Sequence, residues 1–137
     1  ITPALPAVPL TGQVRVLLAL KLDEAATVVV ECRDREKSGP LVRFDGGGKV
    51  IVDGQQRASF PPGSWFTLEL RLSLEEPWYE GAIIIPGQEP QPLGRLPYRT
   101  SEFRRPDRLY LVGEGTVKSV FYVDDVIVER IEAGAAQ

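Results

Sequence analysis

The 137-residue chain has no histidine and no methionine, and it has a single cysteine, Cys32. Without histidine there is no Ser-His-Asp triad, no Cys-His dyad, no imidazole acid or base and no His-ligated zinc, which leaves carboxylates as the proton handlers. One cysteine excludes an internal disulfide and a Cys-cluster metal site. No uncharged stretch approaches the roughly 18 apolar residues of a membrane-spanning helix, and the longest is broken by Pro3, Pro6 and Pro9. No membrane span is expected. The net charge of -3 argues against nucleic acid as a partner, because displacing phosphate counterions needs a broad basic surface. A first residue of Ile1 and the absence of methionine suggest a piece of a longer polypeptide, and no signal peptide is visible.

What is present is the composition of one globular domain, 43% hydrophobic and 26% charged, punctuated by 13 glycines and 12 prolines. That punctuation favours short elements joined by turns. Residues 1–12 carry proline at every third position and read as an extended linker, or as an edge segment lying across the domain. Residues 131–137 read as a C-terminal tail.

Between them, over 13–130, the hydrophobic period is two. Val14, Val16, Leu18, Leu20 and Leu22 alternate with more polar neighbours, and so do Phe66, Leu68, Leu70, Leu72 and Leu74. Each run is a strand with one buried face. Val28, Val30 and Cys32 share a face of another strand, which makes Cys32 a small core hydrophobe. Leu41–Phe44 and Lys49–Val52 flank the glycines of 45–48 as a hairpin, and Asp53-Gly54 is a second turn. Further strands are expected at Trp78–Ile85, Arg108–Val112 and Lys118–Arg130. The last is apolar on both faces, which predicts a central position. About eight strands without a convincing helix predict an all-β, two-sheet antiparallel sandwich.

The hairpin 44–52, the run Pro62-Gly63-Ser64-Trp65-Phe66-Thr67-Leu68, Tyr79 beside an isoleucine strand, and Tyr122-Val123-Asp124-Asp125-Val126 occur in an order that resembles the concanavalin A-like, laminin-G-like jelly rolls. The resemblance spans Gly12 to Arg130. It implies a jelly-roll sandwich and a non-catalytic ancillary module of a larger bacterial, secreted protein, extracellular or periplasmic, that binds carbohydrate or serves adhesion. The alternative is a structural or interaction domain without a small ligand, packed on a neighbouring domain or a partner chain. Members of the group open with further strands ahead of the Gly12 equivalent. Their absence here implies that the first strand or strands are missing, leaving an open sheet edge that invites association.

Candidate sites follow from side-chain chemistry. Asp34 and Glu36 can share a strand face while Glu31 points the other way, so a glycosidase acid pair is not assembled there, and no catalytic residue is assigned. Trp65 falls on the mixed face beside Thr67, Glu69 and Arg71, where it serves either as a platform for a sugar ring or as an anchor covered by a loop. Trp78 and Tyr79 form a second aromatic pair. From Pro86 to Pro106 no strand pattern is visible, and between Arg95 and Arg108 five arginines stand against two acids. Arg95, Arg99, Arg104 and Arg105, interleaved with Tyr98, suit an anionic sugar, or else pair with surface acids. Asp124 and Asp125, adjacent in a strand, leave on opposite faces. They are the candidates for a calcium or sugar-hydroxyl contact implied by relatives of the fold; otherwise one of them accepts hydrogen bonds from loop amides or pairs with an arginine. No other cofactor is expected.

Overall fold

The structure is a computed structural model, and it describes residues 12–23, 26–100, 102–103, 106–114 and 121–131. Ten strands occur in it: β1 (Gln13–Leu22), β2 (Thr27–Asp34), β3 (Lys37–Asp45), β4 (Lys49–Val52), β5 (Gln55–Ser59), β6 (Phe66–Ser73), β7 (Trp78–Ile84), β8 (Gln91–Pro97), β9 (Arg108–Glu114) and β10 (Phe121–Ile131). They form two five-stranded sheets, β10-β1-β6-β7-β8 and β5-β4-β3-β2-β9, with every neighbouring pair antiparallel. No helix among the described residues is long and apolar enough to cross a membrane. The proline-rich residues 1–11 and the tail 132–137 lie outside the described residues, as do 118–120 at the start of the expected last strand.

Period-two alternation builds the interior. The register of β1 on β6 sets Val14 beside Leu72, Val16 beside Leu70, Leu18 beside Leu68 and Leu20 beside Phe66, all of them buried. The second sheet meets them with Val28, Val30 and Cys32, with Val42 and Phe44, and with Val50 and Val52. Each such side chain removed from water contributes about 1.5–3 kcal/mol, so the sheets cannot be separated without exposing the whole layer. Aromatic groups close its two ends. Phe44, Phe60 and Phe66 meet with centroids 4.8–5.9 Å apart at one end. Tyr79, Tyr98 and Phe103 stack at the other, where the Tyr98 hydroxyl donates to the Ser73 carbonyl at 2.6 Å. Along one flank the Gln91 side chain bonds both the amide and the carbonyl of Ser59, joining β8 of one sheet to β5 of the other.

Four expectations are corrected. The last strand, β10, is an edge strand rather than a central one. Its inward Phe121, Val123 and Val128 pack on the core, while Tyr122, Val126 and Ile127 are 43–49% exposed, so apolar character on both faces does not mark burial on both. The stretch 86–106 contains β8. An extra residue on β8 opposite the Gly81–Ala82 step, with Gly94 at φ 95°, spaces the buried Leu93 and Leu96 three apart and erases the alternation. β5 is mostly exposed and held by backbone pairing to β4, so no hydrophobic pattern announces it. Finally, the strand leading into the 45–48 turn begins at Lys37, directly after a tight turn in which Arg35 takes φ 56°.

Burial also sets the chemistry of the interior. Desolvation first, and the Glu31 charge second, push the Cys32 thiol up to about 12 from an ordinary value of 9.0. Burial likewise raises the Tyr79 phenol. Both groups are raised on folding, so the stability contribution of each is complete below its unfolded value, 9.0 for Cys32 and 10.0 for Tyr79, and is lost above it, as the unfolded chain releases protons that the native chain retains. These two groups are therefore expected to leave the unfolding free energy from urea titration unchanged from pH 7 to 9 and to lower it above pH 9 for Cys32, and above pH 10 for Tyr79 as well, by up to about 1.4 kcal/mol per pH unit for each group. Cys32→Val should flatten the first part of that fall, and an unchanged slope in this variant would contradict the assignment. Native Cys32 should also resist thiol reagents that label it fully in urea. A Cβ at Gly39 would lie 2.7 Å from the ring of fully buried Phe103. Gly39→Ala is thus expected to destabilise by about 1–3 kcal/mol in urea titration, because a packed ring cannot yield as a flexible chain end would.

Candidate functional site

The outward residues of β1, β6 and β10 form a surface on which one depression is assembled from distant parts of the chain. It holds about 290 Å³ and is lined by Ala19, Trp65, Phe66, Thr67, Pro86, Asp124 and Asp125. Small side chains make its floor: Ala19 lies beside Thr67 on β6 and beside Asp124 on β10. Over that low floor Trp65, 42% exposed, stands as one wall. The proline-glycine turn 61–63 positions it, with the Gly63 amide donating to the Leu22 carbonyl at 2.7 Å and Gly63 at φ 76°. Trp65 sits just before β6, and Phe66 next to it is buried, so the indole must point outward. Tyr122 of β10 stands beside Trp65 outside the depression, its ring centroid 6.5 Å from that of Trp65, and the Lys21 ammonium lies 5.5 Å over the Tyr122 ring.

The opposite wall departs from the expectation of alternating faces. Leu17 pairs with Ile127 and Ala19 with Asp124, so β10 carries one residue more than β1 between these pairs. This bulge places Asp125 at φ 49° and leaves both carboxylates exposed. Neither enters the core. The Asp125 amide donates to Oδ1 of Asp124 at 2.8 Å, and aspartate tolerates the left-handed region through such local bonds. The two oxygen-bearing side chains are not joined by a third acid, since no group of three or more His, Cys, Asp or Glu residues gathers among the described residues. Calcium takes six to eight oxygens, of which this pair supplies at most four.

Trp78 lies on the same outer face at the other end, about 26 Å away by strand rise. Its ring is covered, because the Arg95 guanidinium stacks 3.8 Å above it and bonds Glu80 at 3.1 Å. Between the two tryptophans runs a ladder of ion pairs. Arg15 donates to Glu69 at 2.6 Å and to Glu129 at 2.7 Å, and Arg71 stands 3.7 Å from Glu69. Tyr79 and Tyr98 are interior side chains, 2% and 5% exposed, and present no surface to a ligand.

Of the arginines of 95–105, the two that are described, Arg95 and Arg99, are not brought together. Arg95 stands on the outer face of the β10–β8 sheet. Tyr98 dives into the core, and the chain then runs alongside β3, with the Arg99 and Thr100 amides donating to the Gly39 and Ser38 carbonyls. Arg99 consequently lines a depression on the outer face of the other sheet, with Leu41, Arg43, Ile51, Asp53 and Gly54. Glu31 anchors that side: it accepts from Ser38 Oγ at 2.5 Å and lies 3.3 Å from Arg33 and 3.8 Å from Arg99. The Glu31 charge, and then Tyr110, hold Arg33 more firmly protonated than usual. Arg104 and Arg105 lie outside the described residues. Sequence reasoning selected Trp65 with Thr67 beside it, and Asp124 and Asp125 separately, and passed over Ala19 and Pro86. The signal for these was cross-strand register, which a single sequence does not print.

No protein-family model matches the chain, and a search of curated proteins finds no match. Solved structures do match. A sialidase superposes with a TM-score of 0.73 at 10% identity over 94% of this chain, which spans 14% of that protein. The Caenorhabditis elegans galectin LEC-6 matches with a TM-score of 0.61 at 15% identity, covering 95% of this chain and 90% of its own. The catalytic domain of a glycoside hydrolase family 131 protein from Coprinopsis cinerea gives 0.51 at 16% identity, over 92% of this chain and 62% of that domain. With two antiparallel five-stranded sheets packed around one interior, the chain has the concanavalin A-like sandwich fold that these structures share.

Proposed function

We propose that this chain is a non-catalytic carbohydrate-binding module, an ancillary part of a larger extracellular or periplasmic protein, and that Trp65 is its platform. The observation that carries this reading is the depression in which an exposed indole faces two carboxylates across a floor of Ala19 and Thr67. The C–H face of a pyranose packs on an aromatic ring while its hydroxyls seek acceptors, and both partners are present here within one small concavity. At about 290 Å³ it sits at the low end of ligand sites, the scale of one or two sugar units. The fold neighbours support the reading, since they are named as galectin, sialidase and glycoside hydrolase.

Binding without hydrolysis is favoured by where the acids stand. A glycosidase flanks the scissile bond with two carboxyl groups about 5–9.5 Å apart across the substrate. Here both belong to adjacent residues of one wall, and Trp65 and Pro86 make up the other. A second reading, a domain that packs on a neighbouring domain or partner chain, draws on the exposed Tyr122, Val126 and Ile127 of edge strand β10.

Titration calorimetry against a glycan set, preceded by array screening, separates the two. Trp65→Ala is expected to weaken a saturable signal at least about tenfold, equivalent to ~1.4 kcal/mol, at an unchanged urea midpoint. Trp78→Ala should leave affinity intact because Arg95 already occupies its ring. Silence of the folded wild type toward neutral and charged glycans alike would favour the interaction domain instead.

A further inference from the structure

We infer that the Trp65 depression selects its glycan by charge, taking sugar units that carry a protonated amine ahead of neutral ones and turning away those that carry carboxylate or sulfate. The inference rests on the carbohydrate-binding reading and adds the chemical class of the ligand.

Its basis is the charge of the lining. Of the described residues that line the depression, only Asp124 and Asp125 are ionisable, and both are exposed on the bulged strand. Carboxylates only accept hydrogen bonds. Hydroxyls and ammonium groups can donate to them, whereas a sugar carboxylate or sulfate brings further acceptors and a like charge. Among the described residues the neighbouring charges are engaged elsewhere. Lys21 is the next outward residue along β1 from Ala19, and its ammonium is drawn over the Tyr122 ring. Glu69, the next outward residue along β6 from Thr67, is neutralised by Arg15 and Arg71. The aromatic wall acts in the same sense, since the negative face of an indole attracts a cation and not an anion. The extra residue of the bulge, with Asp125 at φ 49°, sets the direction in which the Asp125 side chain leaves the strand.

The arginines occupy other places. Arg95 lies on Trp78 at the far end of the same face, and Arg99 lies on the opposite sheet. An anionic sugar at Trp65 would therefore have neither of these guanidinium groups to pair with.

The test compares three hexasaccharides by calorimetry at low and high salt, in a mildly acidic buffer that keeps sugar amines protonated: one of glucosamine, one of glucose and one of galacturonic acid. Wild type is expected to bind the amine-bearing oligosaccharide several-fold more tightly than the neutral one. The acidic one should bind on the order of tenfold more weakly than the neutral one, and the spread should shrink as salt screens it. In the Asp124→Asn, Asp125→Asn double variant the three affinities should converge. Asparagine accepts the left-handed conformation as readily as aspartate, so the bulge is retained.

Acidic binding equal to or stronger than neutral binding, or an ordering that survives in the double variant, would overturn the charge selection. If neutral binding is present and lost in Trp65→Ala but no ordering appears, this inference fails while the carbohydrate reading stands. If the folded wild type binds none of the three, nor any member of the wider set, both fail together.

Discussion

Everything in this molecule depends on the antiparallel seating of β1 against β6. Four inward pairs, from Val14 with Leu72 to Leu20 with Phe66, place two central strands back to back with the second sheet. Because side chains alternate in direction, committing one set to the interior commits the other set to the surface. Ala19, Thr67, Glu69 and Arg15 are outward because Leu18, Leu20, Leu68 and Leu70 are inward. A slip of one residue would bury the charge ladder and expose the leucines, so the core holds the register of the outer face as tightly as its own.

On that fixed face, chemistry arises where the regular ladder is broken. The bulge in β10 lets two adjacent aspartates remain in water instead of sending one into the apolar layer, where an unpaired carboxylate would cost several kcal/mol. The turn at 61–63 delivers Trp65 to the same end of the sheet from a point far removed in sequence. Bulges commonly re-aim side chains near functional sites, and this one converts a structural difficulty into a polar wall opposite an aromatic one. The other tryptophan shows the contrast. Trp78 shares the face but is roofed by Arg95, which is itself held by Glu80, so its ring is spent within the protein.

The segment 95–103 shows how one short stretch can serve two surfaces and the interior. Arg95 projects on one sheet, Tyr98 and Phe103 fill the end of the core, and Arg99 reaches the other sheet beside Glu31. Arg95 and Arg99, four residues apart in sequence, are separated in space because the chain crosses the end of the sandwich there. Gly39, which leaves room for the Phe103 ring, is part of that crossing.

How much of this was legible beforehand follows from the reach of each interaction. The alternation in β1, β2 and β6 and the glycine turn at 45–48 are local, and they were enough for the two-sheet architecture, for the buried Cys32 and for the outward direction of Trp65. The strand β8 and the edge position of β10 were hidden, because a bulge disturbs the period of the first and partly exposed apolar residues mimic burial in the second. The meeting of Trp65 with Asp124 and Asp125, the covering of Trp78 and the parting of Arg95 from Arg99 belong to tertiary structure alone. Each depends on which strands pair and in what register, a choice made by the packing of the entire interior and not by any neighbourhood of the chain.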